Sequence, residues 1–508
     1  MSFYAPTALP SQTQRQPPRS RAKPICVALA VVCLALALVH SGAAEYGLAF
    51  SYLLAGVAAT QAAAKWQPRA ARQAHRRTRL APDAPVDVLM VAYYYPPHNE
   101  VGAYRPYRFA RALRSLGSRV SVVCSSEMLR RATDQAALAQ EATETVAPQR
   151  VPGPQPGRFT AWLSRRFLQV QRLVLPYDDR LGWLPHAVAA AARTLSRNAI
   201  ILSTSPPVAT HMTALVLKLR YRCPWVADFR DPLWGNPGRT SRRASWLDPA
   251  IEWVILTVAD AVIANTDPAA EILRRRYPAQ ARKIHTIWNG FDPDDVFAPV
   301  PAQPRDRRTL SHIGTLYHDR TPLPFLLCLE RLAAMGAIDP GSIQFRQIGR
   351  FDRGCFSVEH PALPRLNAAQ AIYHSARHMP REDARREMLD ADVLLLLDIN
   401  ATNPGLQVPA KTFEYVRSGR PIVVLTVPGS ATEHVLGLSG VPHLCIDVDQ
   451  LDSRLDPLIL QFLLADHPRV DPRPAFVQKF SSPEQVHSLL AILKSVRRPA
   501  YAVEPADY

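Results

Sequence analysis

The residues best suited to gripping a phosphate lie in TNPGLQVPAKTFEYVRSGRPIVVL, residues 402–425. Asn403-Pro404-Gly405 reads as a turn and Pro409 suits the first position of a helix, whose unpaired amides would meet a diphosphate at the positive end of the helix dipole. Lys411 and Glu414 then stand three apart on one helix face, a cation for phosphate and an acceptor for sugar hydroxyls, before Gly419 closes the helix. The plainer reading is an amphipathic connector with an internal ion pair. Upstream, HIGTLYHDR (312–320) places Gly314 in a turn after a strand, with Arg320 six residues on.

The N-terminal half offers two more loops. In YYYPPHNEVGAYRPYRF (93–109), Gly102 lets backbone approach a ligand, while Arg105 and Arg108 point the same way and are placed to hold an anion. In a chain this rich in arginine, a solvated helix face is an equal reading. DFRDPLW (228–234) gathers Asp228, Arg230 and Asp231 at a strand terminus, either as a polar site or as a structural Asp–Arg latch. The seven cysteines are scattered, with no C-x-x-C pair, so free thiols and no metal-thiolate site are expected.

What must position these loops is an α/β framework. Short runs rich in Val and Ile, at 86–93, 119–125, 199–205, 225–230 and 261–265, read as buried parallel strands separated by helices. A helix from Tyr104 to Leu116 is closed by Gly117. A second series follows at 309–315, 343–349, 392–399, 421–427 and 443–447, so two Rossmann-like domains are expected, 86–290 and 291–482. The turn-rich NGFDPDDVFAPV (289–300) joins them. Segment 127–160 reads as a mobile insertion, and 483–508 as a final helix with a tail. Ligands of open parallel sheets bind at the carboxyl ends of strands, where all these loops lie.

The chain has 508 residues, 47% hydrophobic and 20% charged, enough for two cores and too ordered in composition for wholesale disorder. Its net charge of +17 is concentrated at one end, since residues 1–80 hold ten cations and one anion, which argues against nucleic-acid binding. Pro24 to Ala44 and Tyr46 to Ala64 carry no charge, and each gives about 20 helical residues, close to a hydrocarbon thickness of ~30 Å. The expected organisation is a basic tail (1–23), a transmembrane helical hairpin (24–64) and a basic linker (65–85). Cations flank the hairpin on both sides and are absent from its turn, so the body should face the cytoplasm. A cleaved signal peptide, or a second stretch lying only on the interface, are the other readings.

Seven blocks, YYYPPHNEVGAYRPYRFARAL, SPPVATH, WVADFRDPLW, ADAVIANTDPAAEILRRRYP, IWNGFDPDDV, HIGTLYHDRTPLPFL and VPAKTFEYVRSGRPIVVL, together resemble a family 4 glycosyltransferase of the bacterial polysaccharide branch over about residues 86–497. The resemblance implies a GT-B fold, with an N-terminal acceptor domain facing a C-terminal nucleotide-sugar domain, and a retaining reaction needing no divalent metal or other cofactor. It implies that Glu414 bonds the donor ribose and that Arg320 and Lys411 neutralise the leaving diphosphate. Gly102 would face the cleft, with Asp228, Arg230 and Asp231 toward acceptor and transferred sugar. Leu406 stands where the family's first glutamate is expected. The implied partners are a nucleotide-sugar donor, a polyprenyl diphosphate-linked saccharide acceptor and the membrane. A GT-B nucleotide-sugar epimerase and a catalytically inactive membrane scaffold are the rival functions.

Overall fold

The structure is a computed structural model that describes residues 78–79, 85–96, 101–126, 149–151, 180–236, 244–295, 297, 306–316, 320–351, 357, 359–376, 379–398, 405–497 and 501–502. The basic tail, the hairpin expected at 24–64 and most of the basic linker lie outside these residues. No helix among the described residues is long and apolar enough to cross a membrane.

The first sheet has seven parallel strands: β1 (Asp87–Ala92), β2 (Arg119–Ser125), β3 (Gln149–Val151), β4 (Ile200–Ser205), β5 (Trp225–Phe229), β6 (Ala261–Ala264) and β7 (Ile284–Thr286), in spatial order β3-β2-β1-β4-β5-β6-β7. Helices α1 (Val101–Ser115), α2 (Leu184–Thr194), α3 (Val208–Tyr221), α4 (Ala244–Val258) and α5 (Asp267–Arg276) cover it. The second sheet is also parallel, with β8 (Arg308–Ile313), β9 (Ile343–Ile348), β10 (Ile372–Ser375), β11 (Val393–Leu397), β12 (Ile422–Leu425) and β13 (His443–Ile446) in the order β10-β9-β8-β11-β12-β13. Its helices are α6 (Leu323–Ala334), α7 (Pro364–Ala368), α8 (Arg381–Asp390), α9 (Lys411–Ser418), α10 (Ala431–Ser439), α11 (Asp456–Leu464) and α12 (Pro474–Phe480). Each order reverses beside its first strand, which opens a crevice at the carboxyl ends of β1 and β4 and of β8 and β11.

The central strands are buried on both faces, which is why β1 and β11 read as apolar runs, while β4 buries Ser203, Thr204 and Ser205 as well. Trp183, Trp225 and Phe229 lead a core with α2 to α5 on one side of the first sheet. On the other side Phe109 and Leu113 of α1 pack with Val486, Leu489 and Leu493 of α13 (Ser482–Val496). The final helix therefore returns to the N-terminal domain. In the second domain α6, α7 and α11 cover one face, and α8, α9, α10 and α12 the other.

Within these two sheets, three strands went unrecognised in the sequence: β3, β7 and β10. All are sheet edges of three or four residues, where one neighbour suffices and the run need not be apolar. β3 corrects the reading of 127–160 as an insertion throughout, because Gln149–Val151 pairs in register with Val123–Ser125.

Candidate active site

The loop after β8 and the start of α9 are locked to the second sheet by hydrogen bonds. The Tyr415 hydroxyl on α9 accepts from the Ile313 amide at 2.9 Å, so the helix is tied to the end of β8. The Gly314 amide donates to the Ile348 carbonyl at 2.7 Å. As a result Lys411 lies across Gly314, where any Cβ would overlap the lysine Cε and stand 3.2 Å from Nζ. Only a residue without a side chain leaves that path open. Gly405 adopts φ +76, a left-handed turn, and its carbonyl accepts from the Ala431 amide at 2.8 Å. Helix α9 starts at Lys411, two residues after Pro409, with Ala410 as N-cap and no side-chain cap. Of its first-turn amides, that of Thr412 is spent on the Pro409 carbonyl at 2.9 Å.

The electrostatics converge on the same place. Burial pulls the Lys411 ammonium below its usual range; Glu414 opposes this, and Arg320 adds to it as a neighbouring cation. His312, under the loop, is pushed down to about 3, chiefly by burial, with Lys411 and Arg320 contributing, and is neutral. Its Nδ1 bonds the Leu395 carbonyl at 2.9 Å, so it donates there. Glu414 accepts from Arg381 Nε at 3.3 Å. Arg381 was not singled out in the sequence, where PREDARREM offers only a charged helix start with no spacing signal.

In the N-terminal domain the arginines behave differently from the expected anion site. Arg105 is 2% exposed and Asp228 1% exposed. Arg105 Nε and Nη2 fork onto the two Asp228 oxygens at 3.0 and 2.8 Å, and Nη1 and Nη2 donate to the Trp288 and Ile287 carbonyls, each at 2.8 Å. Thr204 adds a third bond to Asp228 at 2.9 Å. With its donors turned to its own chain, Arg105 has no fork left for a ligand, and Asp228 is correspondingly taken out of the cleft. Arg108 donates to the Gly290 carbonyl, and burial draws it down to about 10. Arg111, one step further, pairs with Asp292 and Asp294. The common face of α1 anticipated from spacing exists, but it grips the interdomain linker.

Gly102 and Arg230 do meet: Arg230 Nη1 donates to the Gly102 carbonyl at 2.8 Å, and a Cβ at Gly102 would stand 3.2 Å from that nitrogen and 3.1 Å from Tyr94 Cδ2. Buried Glu252 on α4 accepts from the Leu233 and Trp234 amides at 2.7 and 3.1 Å, holding the loop that carries Asp231. Burial raises the Asp231 carboxyl, while Arg230 and Arg320 oppose the rise. Asp231 and Arg320 are therefore within electrostatic range across the two domains. Thr266, the N-cap of α5, bridges them directly by donating to the Leu406 carbonyl at 2.6 Å. Lys411 thus crosses Gly314 with Glu414 and Arg320 as charged neighbours, Arg230 holds Gly102 beside Asp231, Arg105 and Asp228 form a buried latch, and Arg108 holds the linker.

Residues 103–295 match the family model described as Glycosyltransferase Family 4. No curated protein sequence matches the chain. Among solved structures, sucrose-phosphate synthase from Thermosynechococcus elongatus is similar at 14% identity and TM-score 0.56, covering 81% of this chain and 99% of that one. The UDP-forming trehalose-phosphate synthase from Burkholderia vietnamiensis is similar at 13% identity and TM-score 0.54, covering 80% and 100%. Anabaena HepE in complex with UDP is similar at 13% identity and TM-score 0.50, covering 81% and 100%. At these identities the likeness establishes the two-sheet fold.

Proposed function

We propose that the chain is a family 4 glycosyltransferase that moves a sugar from a nucleotide diphosphate sugar to a polyprenyl diphosphate-linked saccharide, with retention and without a divalent metal, in bacterial polysaccharide synthesis; the family match over residues 103–295 supports this reading. The observation that carries the donor side is Lys411 laid over Gly314 at the start of α9, with Arg320 in electrostatic reach. As the diphosphate departs it gains negative charge, and fixed cations and amides in a water-poor cleft stabilise that charge more than water would. Lys411 and Arg320 take this role, Glu414 orients the donor through its ribose, and Asp231 with Arg230 faces the acceptor and the transferred sugar. That similar folds include a UDP complex and a UDP-forming synthase supports a nucleotide donor.

Residues 24–64 act in this reading as a membrane hairpin, keeping the catalytic body beside its lipid-linked acceptor at the cytoplasmic face. Leu406, in place of the family's first glutamate, presents its carbonyl to Thr266, so backbone rather than carboxylate stands at that position. Incubating membranes containing the full chain with labelled nucleotide sugars tests the proposal. Label in the lipid extract supports transfer, an altered free sugar supports an epimerase, and neither product supports a scaffold.

A further inference from the structure

Arg381, the first residue of α8, touches three parts of the molecule at once. Its Nη1 and Nη2 fork onto Asp295 of the linker at 3.3 and 2.8 Å, and its Nε reaches Glu414 Oε1 at 3.3 Å. Its guanidinium also lies 4.8 Å from the ring centroid of Tyr104, on α1 of the other domain. Asp295 is in turn ion-paired to Arg385 at 2.7 Å, and Arg417 donates to its carbonyl. From the opposite side the linker is gripped by Arg105, Arg108 and Arg111. The segment 287–295 is thus held between arginines of both domains, and one of them also holds the proposed ribose carboxylate.

We propose that Arg381 is a positioning residue that couples the interdomain linker to the donor site. With its fork seated on Asp295, its Nε fixes Glu414 Oε1 and leaves Oε2 for the ribose hydroxyls. A movement that pulls Asp295 away releases Glu414. A second counter-ion is needed because Lys411, the other cation near Glu414, is turned over to the phosphate when the donor arrives. An isolated exposed ion pair would do little of this, since water screens it. Here the Arg381 and Asp295 side chains are 34% and 22% exposed, and the fork fixes direction as well as charge. The inference rests on reading Glu414 as the acceptor for the donor ribose.

The test is binding of uridine, guanosine and thymidine diphosphate to the detergent-solubilised full chain. For whichever binds the wild type, Arg381→Ala is expected to weaken binding by ~10-fold or more, and Arg381→Lys, which keeps charge but not the fork, by less. Asp295→Asn should weaken binding by ~3-fold or more, and add almost nothing on the Arg381→Ala background, because the two act through one contact. In the wild type, the bound diphosphate should slow amide hydrogen exchange across 290–295. Wild-type binding with Asp295→Asn unaffected, multiplying effects of the two variants, or unchanged exchange in the linker would each overturn the coupling alone. Failure of the wild type to bind any of the three diphosphates would overturn the donor site and this inference with it.

Discussion

Lys411 runs over the Cα of Gly314, two residues 97 positions apart whose side-chain requirements are one requirement. A methyl group at 314 collides with the far end of a flexible lysine, which can swing aside at small cost in stability. Gly314→Ala should therefore leave the melting temperature within a few degrees of wild type while cutting donor kcat/KM by ~10-fold or more, since it displaces the cation from the leaving group. Gly290 is the control. A Cβ there overlaps the Phe480 backbone carbonyl, which cannot swing, so Gly290→Ala should destabilise the fold by ~2–3 kcal/mol. Thermal denaturation and steady-state kinetics of the pair separate the two effects.

The Arg105–Asp228 pair predicts a folding defect in place of a binding defect. Removing one partner strands a charge beneath β5, at a cost of ~3–5 kcal/mol. Arg105→Ala should lower the denaturation midpoint steeply, and Arg105→Lys should restore only part, because an ammonium cannot fork onto Asp228 and still reach two carbonyls. A normal midpoint with a raised donor KM would restore the anion-site reading of this residue.

Thr266 serves two bonds with one hydroxyl, accepting from the Ala269 amide at 3.1 Å and donating to Leu406 of the other domain. Thr266→Val should cost ~1 kcal/mol for the lost helix cap and also loosen the contact between domains, whereas Thr266→Ser keeps both bonds. Urea denaturation, with small-angle scattering for domain separation, checks each half of the expectation.

His211 and His312 make stability depend on pH. Burial pushes each down to about 3, opposed by Asp228 at His211 and by the Leu395 carbonyl at His312. Both stay neutral in the folded protein, while in the unfolded chain they take up a proton below pH ~6.5. The unfolded state then binds more protons, so stability falls as pH drops from ~6.5 toward 3, by up to ~1.4 kcal/mol per pH unit for each histidine. His312→Asn, whose amide can replace the Nδ1 donor, should flatten this slope in denaturation midpoints measured across that range.

Much of the architecture was legible because parallel strands covered on both faces are mostly apolar, as in VLMVA and VLLLL. The edge strand QRV had no such constraint and was hidden between prolines. Helix spacing drew attention to Lys411 and Glu414 and a turn to Gly314, but the crossing of Lys411 over Gly314, 97 positions away, leaves no mark in either segment. Arg105 and Arg108 could not be assigned, since spacing says which way a side chain points and not what meets it. Their partners lie 123 to 183 residues downstream, in β5 and at the entry to the linker. Arg381 escaped for the same reason: its meaning comes from Asp295 and Tyr104, neither of which is near it in sequence.

The central claim is that Lys411 and Arg320 stabilise a departing diphosphate. It is tested most directly by comparing turnover of a labelled nucleotide sugar into lipid by the wild type, Lys411→Ala and Arg320→Ala in the same membranes. The account predicts that each substitution lowers kcat by ~100-fold or more while the protein still folds and binds membranes, because the lost interaction is made mainly in the transition state. Turnover by both variants at the wild-type rate would contradict it.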